Sequence, residues 1–459
     1  MTLSTSTFKK IGRVVGRENC TREKAGTICY AYDATARVCL PEAVAFPADT
    51  AEVAALLKLA NQFDFPVIPR GSGSGMTGGS LPVRGGLVLV TSRLNRILAI
   101  DSENLLVRVQ PGVITADLHA AVEKKNLFYP PDPASAAFSS LGGNVAEGAG
   151  GPRAVKYGVT RDYVMGLEVV LPTGEIIRTG VQTVKGVAGY DLTRLLIGSE
   201  GTLGVITEIL LRLLPLPEEV RTMTAVFDDM SIAAETVSGI IAGGIIPRTI
   251  EFLDNTSIRC AENSLRAGLP VEADAMLLLE VDGTPAENEA ALSRLSRFCR
   301  GKGAAVKIAA DRVEADRLWQ ARKAVSPALF VYGPDKINED IVVPRSRIPD
   351  MIRRIQQIGR ETGLVTAGFG HAGDGNIHVN IMLDKSDQLQ LHKAQRAIAE
   401  LFDYTVQLGG TISGEHGIGT TKAAFMSREF GATEMALMKK IKNLFDPANV
   451  LNPGKIFED

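Results

Sequence analysis

The chain has 459 residues, 45% of them hydrophobic and 22% charged, with a formal net charge of −2. That length predicts two or three domains of roughly 100–200 residues each. The charge balance gives no basic footprint for nucleic acid and no acidic tail, and no run approaches the ~18 apolar residues of a membrane span. The opening MTLSTSTFKKIGRVVGRENC is polar and lacks the apolar stretch of a secretory signal. Five cysteines (Cys20, Cys29, Cys39, Cys260, Cys299) include no CxxC pair. That argues against a disulfide framework, a zinc ribbon and an iron–sulfur cluster of the chain's own. The expectation is a cytoplasmic protein with reduced thiols, any membrane contact being made through a partner.

From Val44 to Leu214 short β-rich runs alternate with helical patterns. TAEVAALLKLANQF (50–63) is amphipathic, opens on a Thr cap and carries Glu in its first turn, which predicts a helix. PVIP and, after a glycine-rich loop, GLVLVT read as strands. LLVRVQPG (105–112) reads as a strand ending in a turn, and TADLHAAVEKKN (115–126) as a helix carrying His119, to which no role is assigned. VMGLEVVLPTGEIIRTG (164–180) is two strands joined by Pro-Thr-Gly, a hairpin signal. Pro215 and Pro217, followed by acidic residues, suggest a boundary. Beyond it, strand 220–227, helix 231–242 and strand 246–252 precede strand 275–282, helix 285–301 and strand 304–309. Each set resembles half of a ferredoxin-like α+β layer. Helices near 312–330, 346–362 and 386–408 bracket strands around GHAGDGNIH (370–378).

Three segments are dense in small residues. PRGSGSGMTGGS (69–80) formally matches GxGxxG, but it runs into SLPVRGGLVLV and so opens no helix, as a dinucleotide-binding Rossmann loop must. It also lacks the lysine of a Walker loop. What remains is a nearly side-chain-free loop able to aim successive backbone N–H groups at an anion. PPDPASAAFSSLGGNVAEGAGGPRAVKYG (130–158) and GSEGTLGVIT (198–207) have the same character. Three such segments in one α+β domain suit a large, flat cofactor with a diphosphate better than three linkers.

GHAGDGNIH centres on Asp374-Gly375, a strong signal for a two-residue type I′ hairpin. Counting outward pairs His371 directly with His378, on one face, with Cβ atoms ~4.5–5.5 Å apart. Two imidazoles at that separation can converge on one metal or simply stack. SGEHGIG (413–419) adds Glu415 and His416 on a glycine-flanked segment. In extended chain their side chains point to opposite sides, so one could ligate while the other faces a reaction. Which does which stays open at this point. His392 lies on the polar helix DQLQLHKAQRAIAE and reads as surface.

The run from PVIPRGSGSGMTGG through QPGV, PPDPAS, LGGNVAEGAGG and KYGVTRDYVMGLEVVLPTG to LLIGSEGTLGVIT resembles the FAD domain of vanillyl-alcohol-oxidase-type flavoproteins. The likeness is to their branch of D-lactate dehydrogenases, D-2-hydroxyglutarate dehydrogenase and the D-type subunit of glycolate oxidase. It continues through GFGHAGDGNIH and SGEHGIGTTK to DPANVLNPGKIF, and so covers nearly the whole chain. It implies an α+β fold: a two-subdomain FAD-binding domain of the vanillyl-alcohol-oxidase/PCMH type over 1–217, and a ferredoxin-like cap with an antiparallel sheet over 218–414. Residues 415–459 would return to the flavin.

By that resemblance Arg70, Gly71, Ser72, Gly73, Ser74, Gly75, Met76, Thr77 and Gly78, on to Ser80, wrap the FAD diphosphate. Pro131, Asp132, Ser135, Gly142, Gly143, Asn144 and Gly148 line the flavin and ribityl chain. Tyr157, Gly158, Thr160, Glu200, Gly201, Gly204 and Ile206 complete the adenosine and diphosphate side, and Asn452 returns to the flavin. The three loops hold no His or Cys, so the FAD is expected to be non-covalent.

The family pattern makes Glu415 the third ligand beside His371 and His378, and His416 the base. N/O ligation of this kind suits Zn, Mn, Fe or Co, with positions open for a chelating 2-hydroxy acid. Arg322 and Lys336 resemble the family's carboxylate anchors, and Asn376 is placed to touch substrate.

The activity implied is FAD-dependent oxidation of a small D-2-hydroxy acid, D-lactate or glycolate. D-2-hydroxyglutarate or a longer acid, a non-catalytic flavoprotein subunit, and a metal-dependent hydrolase are the alternatives. The electron acceptor would be an iron–sulfur subunit, an electron-transferring flavoprotein, a cytochrome or a quinone. The assembly would be a homodimer or a subunit of a complex.

Overall fold

The structure is a computed structural model that describes residues 3–458. The chain gathers into two compact units. The first takes the residues up to Ala149, Val159–Leu216 and those from Glu415 on; the second takes Gly150–Gly158 and Pro217–Gly414. Among the described residues no helix is long and apolar enough to cross a membrane.

In the first unit a four-stranded sheet runs in the order Cys20–Thr21, Ala43–Ala45, Leu87–Val90, Val67–Arg70. Its first pairing is antiparallel and the other two are parallel. Leu87–Val90 is buried on both faces, the pattern a covered parallel strand requires. Helix Thr50–Phe63 covers the sheet, packing Val53, Leu56 and Leu57 against Ala43, Val67, Leu87 and Leu89. Each leucine so buried contributes ~1.5–3 kcal/mol relative to exposure. The helix is capped one residue earlier than the sequence suggests: Asp49, not Thr50, accepts the amide of Glu52, at 2.8 Å. A five-stranded antiparallel sheet follows, in the order Ile97–Asp101, Leu106–Val109, Val205–Arg212, Val164–Val170, Ile176–Gly180.

The second unit is built on a seven-stranded, wholly antiparallel sheet. Its order is Ala305–Ile308, Glu219–Phe227, Ala275–Gly283, Thr249–Asp254, Thr366–His371, Asn376–Leu383, Asp335–Val342. Numbered along the chain, the first four strands stand 4-1-3-2, the ferredoxin-like arrangement of two interleaved βαβ halves. Their crossover helices are Met230–Ala242 and Pro285–Gly301. The second begins with a reciprocal capping box between Thr284 and Glu287 and a proline at its first turn. The last three strands extend this sheet beyond Thr249–Asp254, and that is where His371 and His378 lie.

Candidate active site

In the first unit, strand Val67–Arg70 delivers the chain into the glycine loop. No acceptor among the described residues takes the backbone N–H groups of Ser72 to Thr77. Six consecutive unspent donors on a loop with almost no side chains form an anion cradle. The first five, Ser72 to Met76, belong to residues that line a cavity with Arg70, Gly71, Gly79, Ser80, Pro133–Ser135, Ser140, Gly142–Asn144, Glu147, Glu200, Gly201, Gly204–Ile206, Glu415 and His416. Arg70 is buried behind the loop and donates to the Tyr32 carbonyl at 2.7 Å and to Ser80 Oγ at 3.3 Å.

Glu200, at φ 51°, receives the amides of Ile418 and Gly419, each at 2.7 Å. Asn452 donates to the carbonyls of Gly79 and Glu200 at 2.9 and 2.7 Å, so it ties two cofactor loops together. The C-terminal turn therefore rests on the loops that line the cavity. Gly417, at φ 82°, packs against the carboxyl groups of both Glu147 and Glu200, and a side chain there would collide with Glu147. Burial and the neighbouring Glu200 push the Glu147 carboxyl well above the usual carboxylate range. Burial also raises Glu200, against the pull of its two amide donors. Both carboxyls are thus raised as a coupled pair, and Glu147 alone of the two lacks amide donors, one of its oxygens having no hydrogen-bond partner among the described residues. Sequence reasoning missed Glu147, although it is the one charged residue between Pro133 and Pro152.

Glu415 and His416 were expected on extended chain, facing opposite ways. Residues 412–420 instead run through bends and a turn with no strand, and His416 Nε2 lies 3.9 Å from Glu415 Oε1. The positive φ of Gly417 and Gly419 turns the chain too tightly for strand alternation. Just before this turn, within the second unit, buried Asp340 accepts the amide of Gly414 at 2.9 Å and the side-chain amide of Asn376 at 2.5 Å.

The histidine hairpin differs from its expected register. Phe369, not His371, stands opposite His378. Asp374 has no positive φ, so the turn is not type I′; only Gly375 does, at 94°. Residues 372–375 form a four-residue loop in which Asp374 and Gly375 donate to the carbonyls of His371 and Ala372, both at 3.2 Å. The register moves by two residues, and two is the period of a strand. Both imidazoles therefore keep the same face as diagonal neighbours. Their ring centroids lie 5.1 Å apart, at 89°.

Directly across the next strand from His371 stands Glu251. Its Oε1 meets His371 Nδ1 at 2.6 Å, and its Oε2 accepts Nε and Nη2 of Arg322, both at 2.6 Å. The Arg322 guanidinium also stacks on Phe369, 4.7 Å from the ring centroid. Burial raises the Glu251 carboxyl, but His371 and Arg322 outweigh it and hold it below the ordinary range. Glu251 was missed as well; its signal was a glutamate inside the apolar run TIEFL. Arg322 itself is buried, so it does not lie on a solvated helix face. Lys336 donates to Ser326, and burial lowers it to about 8. Asn376 commits its amide nitrogen to Asp340 and to the Ile341 carbonyl, and its Oδ1 has no partner among the described residues.

The cavity lining does not take in every expected cofactor residue. Tyr157 and Gly158 belong to the second unit, where the Tyr157 hydroxyl donates to Asp282 at 2.8 Å. Thr77, Gly78, Pro131, Asp132, Gly148 and Thr160 are outside the cavity lining. Thr77 instead donates from its hydroxyl to the His416 carbonyl at 3.1 Å, and the Pro131 carbonyl meets His119 at 2.9 Å.

A mixed α+β fold carrying an anion cradle and a cavity of small residues suits a large cofactor with a diphosphate, and comparison with known proteins makes the chain a flavoprotein oxidoreductase. Residues 216–456 match the FAD linked oxidases, C-terminal domain, and residues 41–180 match the FAD binding domain. The chain belongs to the FAD-linked oxidase family. It is 46% identical to "Glycolate oxidase subunit GlcD" of Bacillus subtilis over 97% of this chain and 95% of that protein. It is 36% identical to the D-lactate dehydrogenase of Anaerostipes hadrus, over 91% and 89% of the two chains. Among solved structures, p-cresol methylhydroxylase with substrate bound superposes with a TM-score of 0.82, at 18% identity and over 100% and 98% of the chains, which speaks to the fold. FAD is the cofactor, and the unspent amides of Ser72–Met76 along the cavity fit its diphosphate.

Proposed function

We propose that this flavoenzyme oxidises a small D-2-hydroxy acid, D-lactate or glycolate, to the 2-oxo acid. The supporting relatives are those named for glycolate and for D-lactate. The observation that carries the reading is the convergence of His371, His378, Arg322 and Glu251 on one sheet region of the second unit. Imidazoles and a buried guanidinium are the groups that a hydroxyl beside a carboxylate calls for.

FAD, when bound, supplies the hydride acceptor. His371, His378 and Glu415 would hold a divalent Zn, Mn, Fe or Co, whose chemistry there is to lower the pKa of a substrate hydroxyl. His416 would take the hydroxyl proton, a task suited to imidazole near neutral pH. It lines the FAD cavity, beside which the hydride must leave. Arg322 would bind the substrate carboxylate through the guanidinium N–H groups that Glu251 does not occupy, and Lys336 would add a second cation. Asn376 Oδ1 is left to accept from substrate. Electrons would pass on to an iron–sulfur subunit, an electron-transferring flavoprotein, a cytochrome or a quinone. A role as one subunit of a complex accords with the name of the Bacillus relative.

Anaerobic bleaching of the flavin by a panel of D- and L-2-hydroxy acids tests the reading. D-lactate or glycolate should bleach fastest. Faster bleaching by L-lactate than by both, or by D-2-hydroxyglutarate than by both, would overturn the assignment.

A further inference from the structure

One buried carboxylate touches two groups to which the proposed function gives different tasks. Glu251 sits on strand Thr249–Asp254, every residue of which is buried, directly opposite His371. One oxygen meets the imidazole at Nδ1 and the other receives two N–H groups of Arg322. We propose that Glu251 is a positioning residue that fixes both the tautomer of His371 and the aim of the Arg322 guanidinium, so that metal binding and substrate-carboxylate binding are set by a single side chain. The proposal rests on the functional reading above.

The hydrogen-bond inventory makes the argument. A carboxylate that accepts from Arg322 has only acceptor capacity to offer His371. The hydrogen of His371 therefore resides on Nδ1, and Nε2 carries the lone pair that a ligand atom needs. Arg322 has five N–H groups in a rigid fork. Two are taken by Glu251 and the plane is fixed from below by Phe369. The remaining edge can meet a second carboxylate without a search through rotamers. Glutamine in place of Glu251 breaks this pattern while keeping its shape. Its carbonyl can still accept from Arg322, but its amide then donates towards Nδ1. That forces Nδ1 to accept and moves the imidazole hydrogen to Nε2. The opposite amide orientation points donors at donors on Arg322. Either way one of the two tasks is lost.

The test uses the FAD-loaded protein and its Glu251→Gln and Glu251→Asp variants, with zinc alone as the metal probe. Three quantities are read: zinc affinity by competition with a chromophoric chelator, KM for glycolate and D-lactate at saturating zinc, and the histidine tautomers by ¹⁵N NMR of metal-stripped, ¹⁵N-histidine-labelled protein. The chain has only five histidines, which keeps that spectrum assignable. Glu251→Gln should lose ~10–100-fold in zinc affinity, the usual effect of losing such a partner. KM should rise about tenfold or more with a smaller change in kcat, and His371 should move from the Nδ1–H to the Nε2–H form. Glu251→Asp, which keeps the carboxylate, should recover the tautomer and part of the zinc affinity; it also serves if the glutamine variant does not fold. An Nδ1–H tautomer, KM and zinc affinity all unchanged in Glu251→Gln would overturn the proposal and leave the functional reading standing. A wild-type protein that binds no zinc and is bleached by no 2-hydroxy acid would instead remove that reading, and the tautomer would still decide the role of Glu251.

Discussion

The Lys336 ammonium donates to Ser326, at 2.6 Å to the hydroxyl and 3.0 Å to the carbonyl, and is otherwise held by burial rather than by a carboxylate. Burial disfavours its charged form and brings it down to about 8 from 10.5. If Lys336 binds the substrate carboxylate, KM should be low below pH 8 and rise as the pH passes through it. The linkage to stability has the opposite sense: between 8 and 10.5 the unfolded chain holds the proton that the folded chain has lost, so stability should rise with pH there. Lys336→Arg should remove the inflection in KM, because its guanidinium stays charged. Lys336→Met should have a high KM throughout. A wild-type KM that stays flat from pH 7 to 9 would take Lys336 out of substrate binding.

Arg322→Ala should raise KM roughly 10- to 150-fold, the worth of a charged hydrogen bond of ~1.5–3 kcal/mol. The structure adds a second consequence, because the same change strands the buried Glu251 beside His371. Breaking a buried pair from one side costs ~3–5 kcal/mol, so the melting temperature should fall as well. Arg322→Ala/Glu251→Ala should recover stability relative to the single variant and leave KM high. A single variant with unchanged KM would return Arg322 to a purely structural role.

How much of this could be read in the sequence depended on whether a signal was local. The glycine loop, the helix at 50–63 and the ferredoxin-like halves follow from periodicity and turn chemistry within a few residues. Register in the histidine hairpin did not, because Gly373 donates to the Ile250 carbonyl and Arg345 donates to the Gly373 carbonyl, and neither partner is sequence-local. These contacts hold residues 372–375 open as a wider loop. Strand parity nonetheless preserves the face, so the two histidines share it as expected, but as diagonal neighbours rather than a directly opposed pair. Glu147 and Glu251 escaped for the same reason: each acquires its chemistry from groups more than 50 residues away in the chain, Glu200 for one and His371 with Arg322 for the other.

Glu147 supplies a pH prediction of its own. Its carboxyl is raised by burial and by Glu200, so the folded protein holds a proton that the unfolded chain releases near the ordinary 4.5. Its contribution to stability is therefore complete below that value and is lost as the pH climbs towards the raised one. Glu147→Gln needs no proton. It should melt higher than the wild type at pH 8, and the difference should shrink towards pH 5. An equal difference at both values would mean that Glu147 is ionised in the folded protein.

The FAD should be held without a covalent bond, since the cavity lining contains no cysteine and its one histidine is His416. Acid precipitation should release all the yellow colour into the supernatant. Colour kept in the pellet would identify an attached flavin, with His416 the first residue to inspect by peptide mapping.

Metal and base can be told apart by which property each variant loses. His371, His378 and Glu415 should behave as one set, because an N/O site missing any of three protein ligands holds its metal poorly. A chelator should then abolish turnover and leave the flavin spectrum unchanged, and added divalent metal should restore turnover. His371→Ala should lose both metal and activity. His416→Asn should keep the metal and bind substrate, yet turn over ~10²–10⁴-fold more slowly, the range for a positioned general base. His416 Nε2 lies only 3.9 Å from Glu415 Oε1, so the two roles have to be separated by experiment. Metal analysis on His416→Asn and Glu415→Gln decides it. A metal-free His416→Asn beside a metal-loaded Glu415→Gln would reverse the two roles. Full activity in thoroughly stripped enzyme would take the metal out of the chemistry, and the two imidazoles, 5.1 Å apart and edge to face, would then be packing partners in the cap sheet.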